Sequence, residues 1–148
     1  MIKVDVFIKN KNWKKKISNP YKYLNSRTKY LNRSISFLKN KNISFSIQLA
    51  GNKEIKLLNK KFRKKNISTD VLSFPFYNLS KLKKIKEKNI YLGDVILNYY
   101  KIKKKNFNLN FNKLWIHGYL HLIGHRHKKD SDYYKMNKLE KLILSKIK

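Results

Sequence analysis

Every histidine of the chain lies in one stretch, His117-Gly118-Tyr119-Leu120-His121-Leu122-Ile123-Gly124-His125-Arg126-His127. His117 and His121 stand four residues apart, a separation that places two side chains on one face of a helix, one turn above the other. Gly124 can take the left-handed conformation that ends a helix and turns the chain back, which would bring His127 toward the first two imidazoles. A helix continuing through Gly124 would instead extend the stripe to His125. The glycine favours His127 as the third member, and three imidazoles can then converge on one metal ion.

Zinc takes nitrogen ligands at about 2.0–2.1 Å, and a catalytic site keeps three protein ligands with a fourth position open to water. Three neutral imidazoles leave the full charge on the ion, which lowers the pKa of bound water to about 7 and makes hydrolysis the natural chemistry. The spacing coincides in part with a metalloprotease pattern in which a glutamate follows the first histidine as general base. Here that residue is Gly118. Without the proton acceptor, a metalloprotease-like hydrolase is only a distant alternative. Exposed or core histidines are the plainer account of an isolated pair, but four in eleven residues with glycine at the turn argue for a site.

The elements that must hold this stretch are legible from periodicity. Ile2, Val4, Val6 and Ile8 share one face of an extended segment, and Ile43, Phe45, Ile47 and Leu49 alternate with Ser44, Ser46 and Gln48, so both read as strands. Between them, Asn19-Pro20 opens a helix predicted over residues 20–39, with Leu24, Leu31, Ile35 and Leu38 at helical spacing. A short helix with Ile55, Leu58 and Phe62 follows Gly51. Val71-Leu72-Ser73-Phe74 forms a third strand stopped at Pro75, residues 77–89 a basic loop, and residues 90–97 a strand covered on both faces. A lysine-rich helix, a histidine helix starting near Leu114-Trp115, and a last helix capped by Asp130-Ser131-Asp132 complete the order. This predicts one α+β domain over residues 1–148, with a small four-stranded sheet packed against about five helices. The metal site falls on a helix of the C-terminal half and the turn after it.

Composition bounds the function. The 148 residues suffice for one core, and the absence of cysteine leaves histidine and carboxylate as metal ligands. A formal charge of +29 attracts polyanions, nucleic acid first and an anionic membrane surface second. The excess is nearly all lysine, with arginine only at 27, 33, 63 and 126 and a single alanine at 50, a bias that an AT-rich genome also produces. No run of about 18 uncharged apolar residues and no signal-like N-terminus is present, so a soluble cytoplasmic protein is expected.

Residues 117–127, together with Thr69-Asp70-Val71-Leu72-Ser73-Phe74-Pro75-Phe76, Leu92-Gly93-Asp94 and the pair Asn59 and Arg63, resemble the YbeY family of bacterial rRNA maturation factors, which are zinc-dependent endoribonucleases. The family pattern His-Gly-x-Leu-His-Leu-x-Gly-Tyr-Asp-His is matched at His117, Gly118, Leu120, His121, Leu122, Gly124 and His127. His125-Arg126 replaces the Tyr-Asp before the last histidine. The resemblance covers about residues 43–148 and implies one Zn2+ per chain on His117, His121 and His127. It also implies single-stranded RNA as substrate, rather than DNA. The setting would be maturation of the 3′ end of 16S rRNA and quality control on the small ribosomal subunit, with no membrane partner. For Arg63, pairing with a carboxylate or facing water is the plainer reading from sequence. Under the resemblance, its guanidinium fork instead binds the phosphate oxygens on which charge develops, alongside the zinc. Asp70 and Asp94 are expected either to cap backbone or to contact the metal histidines. The non-enzymatic rival is an RNA-binding assembly factor whose zinc is structural and closed by His125 as a fourth ligand.

Overall fold

The computed structural model describes residues 1–126 and 129–147. Four strands form one mixed sheet: β1 (Ile2–Ile8), β2 (Asn42–Ala50), β3 (Val71–Pro75) and β4 (Asn89–Asn98), in the order β1-β2-β4-β3. β1 and β4 both run parallel to β2, and β3 is antiparallel to β4 at the edge. Among the described residues five α-helices accompany them: α1 (Pro20–Asn25), α2 (Asn52–Arg63), α3 (Leu79–Lys83), α4 (Phe107–Leu122) and α5 (Asp130–Lys146).

Strand alternation sorts the two faces of the sheet. Ile96 and Leu72 join Ala50, Ile55 and Leu58 under α2, while Val95 and Leu97 join the larger core under α4. Covering both faces makes the central strand β4 almost continuously buried, as its apolar run predicted. On the larger side α4 carries Phe107, Phe111, Trp115, Ile116, Tyr119 and Leu120 inward. Trp13 closes this core: its ring lies against Tyr99, Phe107 and Phe111, and its Nε1–H donates to Ala50 O at 2.9 Å, so the buried indole has its acceptor.

Several predicted elements take a different form. The helix expected over residues 20–39 stops at Asn25 and resumes as 3-10 turns over Thr28–Leu38, with non-helical dihedrals at Ile35. Short polar side chains account for the break. Asn25 gives its amide to β1, accepting from Val4 N and donating to Val4 O, both at 2.9 Å. Ser26, Thr28 and Ser34 hydroxyls occupy the carbonyls of Tyr23, Asn25 and Leu31. Leu31, Ile35 and Leu38 are still buried, because their spacing suits tight turns as well as an α-helix.

The lysine-rich segment after β4 is a single 3-10 turn, Tyr99–Lys101, and not a helix. The histidine helix begins at Phe107, two turns before Leu114, since Phe107, Phe111 and Trp115 continue its buried stripe toward the N-terminus. The 77–89 loop contains the short α3, capped by Asn78 and anchored by buried Leu82. At the start of α5 the N-cap is Lys129, and Asp130 and Asp132 occupy the first turn, where carboxylates favour the N-terminal end of the helix dipole.

Candidate metal centre

The centre is built where the last turn of α4 meets the edge strand β3, the end of α2 and the middle of α5. Gly118 brings α4 that close. A Cβ at this position would stand 2.5 Å from Val95 Cγ1, 3.2 Å from Ser73 Oγ and 3.3 Å from Val71 Cγ2, so only hydrogen leaves room for the helix against the sheet. Ser73 fixes the approach by donating its hydroxyl to Gly118 O at 3.0 Å.

α4 ends as the glycine predicted. Gly124 has φ +100°, Gly124 N donates to His121 O and His125 N donates to Leu120 O, the paired bonds of a Schellman turn. The turn presents the His125 carbonyl to the ring of His121, with Nδ1 at 2.8 Å. The ring of His117 is held from another side: its Nδ1 lies 2.6 Å from Glu140 Oε1 on α5.

These two contacts determine the tautomers. A carbonyl oxygen and a carboxylate only accept, so both Nδ1 atoms donate, and each neutral ring then carries its lone pair on Nε2. The two Nε2 atoms lie 3.1 Å apart. Two nitrogens on one tetrahedral ion at about 2.0–2.1 Å would be roughly 3.3 Å from each other. Spacing and tautomers together suit a shared divalent cation, and the carboxylate–imidazole and carbonyl–imidazole contacts are those that orient ligating histidines. The expected third ligand, His127, lies outside the described residues, and among those described no group of three His, Asp or Glu converges.

A cleft of about 430 Å³ opens over the imidazoles, with Arg63, Ser73, Pro75, His125 and Arg126 around it. Arg63 is the last residue of α2 and reaches the cleft by donating Nη2–H to Ser73 O at 3.2 Å, its guanidinium 5.8 Å from the centre of the Phe74 ring. Asn59 secures the connection that follows: it is buried, and its Nδ2 donates to Ile67 O at 3.0 Å. Burial pushes the His125 imidazole below its ordinary range, with Asp132 opposing and Lys135 reinforcing the shift. No carboxylate lines this cleft among the described residues, so Arg63 and Arg126 give it a positive field.

Of the two aspartates singled out from sequence, Asp94 accepts hydrogen bonds from Ser46 and Tyr91. Asp70 accepts from Asn98 N through its backbone carbonyl and from Thr69 Oγ1 through its side chain. Among the described residues a carboxylate touches a histidine at Glu140, which periodicity could not single out. Its one sequence signal is being an isolated acid in the lysine-rich run Lys138-Leu139-Glu140-Lys141.

A model of the family described as endoribonuclease YbeY matches residues 7–148. An endoribonuclease YbeY of Pelagibacter ubique is 44% identical over an alignment of 154 positions, covering 100% of this chain and 97% of the relative. One from Thermodesulfovibrio yellowstonii is 36% identical, covering 91% of this chain and 88% of its own. Among solved structures, the solution structure of a Thermotoga maritima protein superposes with a TM-score of 0.58 at 22% identity, over 99% of this chain and 91% of that one, and supports the fold alone. The chain is a single-domain α+β protein of the endoribonuclease YbeY family.

Proposed function

We propose that the chain is a zinc-dependent endoribonuclease that cuts single-stranded RNA, and that it acts in maturing the 3′ end of 16S rRNA and in quality control of the small ribosomal subunit. Family membership supports the nuclease class. The observation that carries the metal dependence is the pair of imidazoles whose Nδ1 atoms are both committed and whose Nε2 atoms lie 3.1 Å apart. His117, His121 and His127 would hold the ion, one per chain. When bound, Zn2+ supplies a Lewis acid beside which water ionises near neutral pH and phosphate charge is offset.

The protein's own groups do the rest. Arg63 presents two N–H groups in a fixed plane to the phosphate oxygens, while its bond to Ser73 O and the Phe74 ring hold it in place, so little reorganisation is needed as charge develops. Arg126 adds a second guanidinium to the same cleft. Glu140 and the His125 carbonyl hold the two rings in the tautomer that offers Nε2. Gly118 stands at the position after His117 where the protease pattern has its glutamate, and Glu140 is engaged with His117 Nδ1. No glutamate is thus placed to pass a proton to a leaving amine as in that pattern, which weighs against peptide hydrolysis.

The test is metal analysis coupled to cleavage of an unstructured RNA, with and without chelator. Cleavage should disappear with the chelator, return on adding zinc, and be lost in His117→Ala and His121→Ala. Wild-type rates in both variants would overturn the reading. Zinc bound tightly, with no cleavage of any RNA, would instead favour the assembly factor with a structural metal.

A further inference from the structure

A second cleft, of about 390 Å³, opens on the other side of His117. Val71 and His117 line both clefts, so the two are halves of one trough passing the imidazoles. The floor of the second half is one face of α4: Asn110, Lys113, Leu114 and His117 recur at three- and four-residue steps and span on the order of 10 Å of helix. Lys101 and Lys103 stand on its rim. Three ammonium groups therefore face two carboxylates, Asp70 and Glu140, and Glu140 is engaged with His117.

The rim is a built feature and not a tail of drifting lysines. Asn110 Nδ2 donates to Lys103 O at 3.3 Å and to Lys105 O at 2.9 Å, fastening the segment to the helix. Lys104 is folded inward, its Nζ donating to Tyr99 O at 2.5 Å and to Ile102 O at 3.0 Å over the Tyr99 ring. With Lys104 and the backbone pinned, Lys101 and Lys103 are left exposed on either side of it along the trough.

We propose that the half-trough of Lys101, Lys103 and Lys113 is a phosphate-binding subsite holding the RNA strand on one side of the bond that is cut, while Arg63 and Arg126 hold the other. This rests on the reading of the site as an endoribonuclease. Substrate length is its consequence: an RNA must extend past His117 into the lysine half to bind well.

The experiment compares the full-length triple variant Lys101→Gln/Lys103→Gln/Lys113→Gln with a charge-matched control, Lys29→Gln/Lys39→Gln/Lys88→Gln. The control residues are exposed and border neither cleft. Binding of a long unstructured oligoribonucleotide is measured against salt, and cleavage of that RNA and of a dinucleotide is followed. The trough variant should raise KM for the long RNA by tenfold or more. It should flatten the slope of log affinity against log salt by about 2, because each phosphate neutralised on a single strand contributes roughly 0.7 to that slope. Its kcat and its dinucleotide cleavage should fall far less, and the control should behave as wild type. Equal losses in both variants, or a wild-type KM and salt slope in the trough variant, would sink the subsite while leaving the nuclease reading intact. Lysine-dependent binding by a protein that cleaves no RNA would overturn the nuclease reading and retain the groove as a binding site only.

Discussion

Glu140 offers the sharpest perturbation of the proposed metal centre. It touches His117 through one 2.6 Å contact, and the side chains of the pair are 30% and 19% exposed, so solvent screens the interaction only in part. A bond of this kind between ionised and neutral partners is roughly twice as strong as a neutral one. Glu140→Gln keeps an oxygen that can accept from Nδ1 but removes the charge, whereas Glu140→Ala removes that acceptor from Nδ1. Loss of an orienting partner costs about 10–100-fold in metal affinity or activity, which corresponds to about 1.4–2.8 kcal/mol. The glutamine variant should sit near the lower figure and the alanine variant near the upper. Zinc affinity would be measured by competition with a chromophoric chelator at fixed pH, with RNA cleavage followed at saturating zinc. Wild-type zinc affinity in Glu140→Ala would refute the argument from tautomers, because nothing would then depend on the commitment of Nδ1.

Three further outcomes follow from the same geometry. Arg63→Lys keeps the charge and loses the planar fork, so kcat on single-stranded RNA should fall about 10²–10³-fold while zinc content, read by metal analysis, stays at wild type. Gly118→Ala gains about 1 kcal/mol of helix propensity, but its Cβ meets Val95, Ser73 and Val71, and such overpacking costs about 1–3 kcal/mol. Urea denaturation should show a net loss of stability, and weaker zinc binding should accompany it as α4 lifts from β3. Burial, reinforced by the hydrogen bond to Asp94, pushes the Tyr91 phenol up to about 12 from an ordinary 10.0. The folded state thus holds that proton more tightly than the unfolded one, giving a stabilisation that is full below pH 10 and lost as pH rises through about 12. Tyr91→Phe should lack this component, read as a shallower decline of the urea midpoint across that window.

The sheet and the histidine pair were legible because they rest on local periodicity. Ile43, Phe45, Ile47 and Leu49 all point inward, and Gly124 carries the positive φ that the ending of the helix required. Boundaries failed where side chains bonded to backbone. Asn25 gives its amide to Val4, and Ser26, Thr28 and Ser34 occupy carbonyls, so a helical pattern over residues 20–39 became two pieces. Glu140 was hidden for a different reason. Its partner lies 23 positions earlier on another helix, and only tertiary packing of α5 against α4 brings the two together. In sequence Gly118 shows only the acid it lacks, while its larger role, close approach to Val95, depends on a helix–sheet distance that no one-dimensional pattern carries.

β3 is the last strand of the sheet, and an edge strand offers unpaired backbone groups to any other extended chain. Arg63 Nη2 occupies the Ser73 carbonyl on this strand, and Pro75 at its end has no N–H to offer. The side chain proposed to bind phosphate therefore also guards the margin of the sheet against strand addition. Truncating it would open a route to self-association as well as weaken catalysis. Activity lost in Arg63→Ala would then combine two effects, which light scattering alongside the rate measurement would separate.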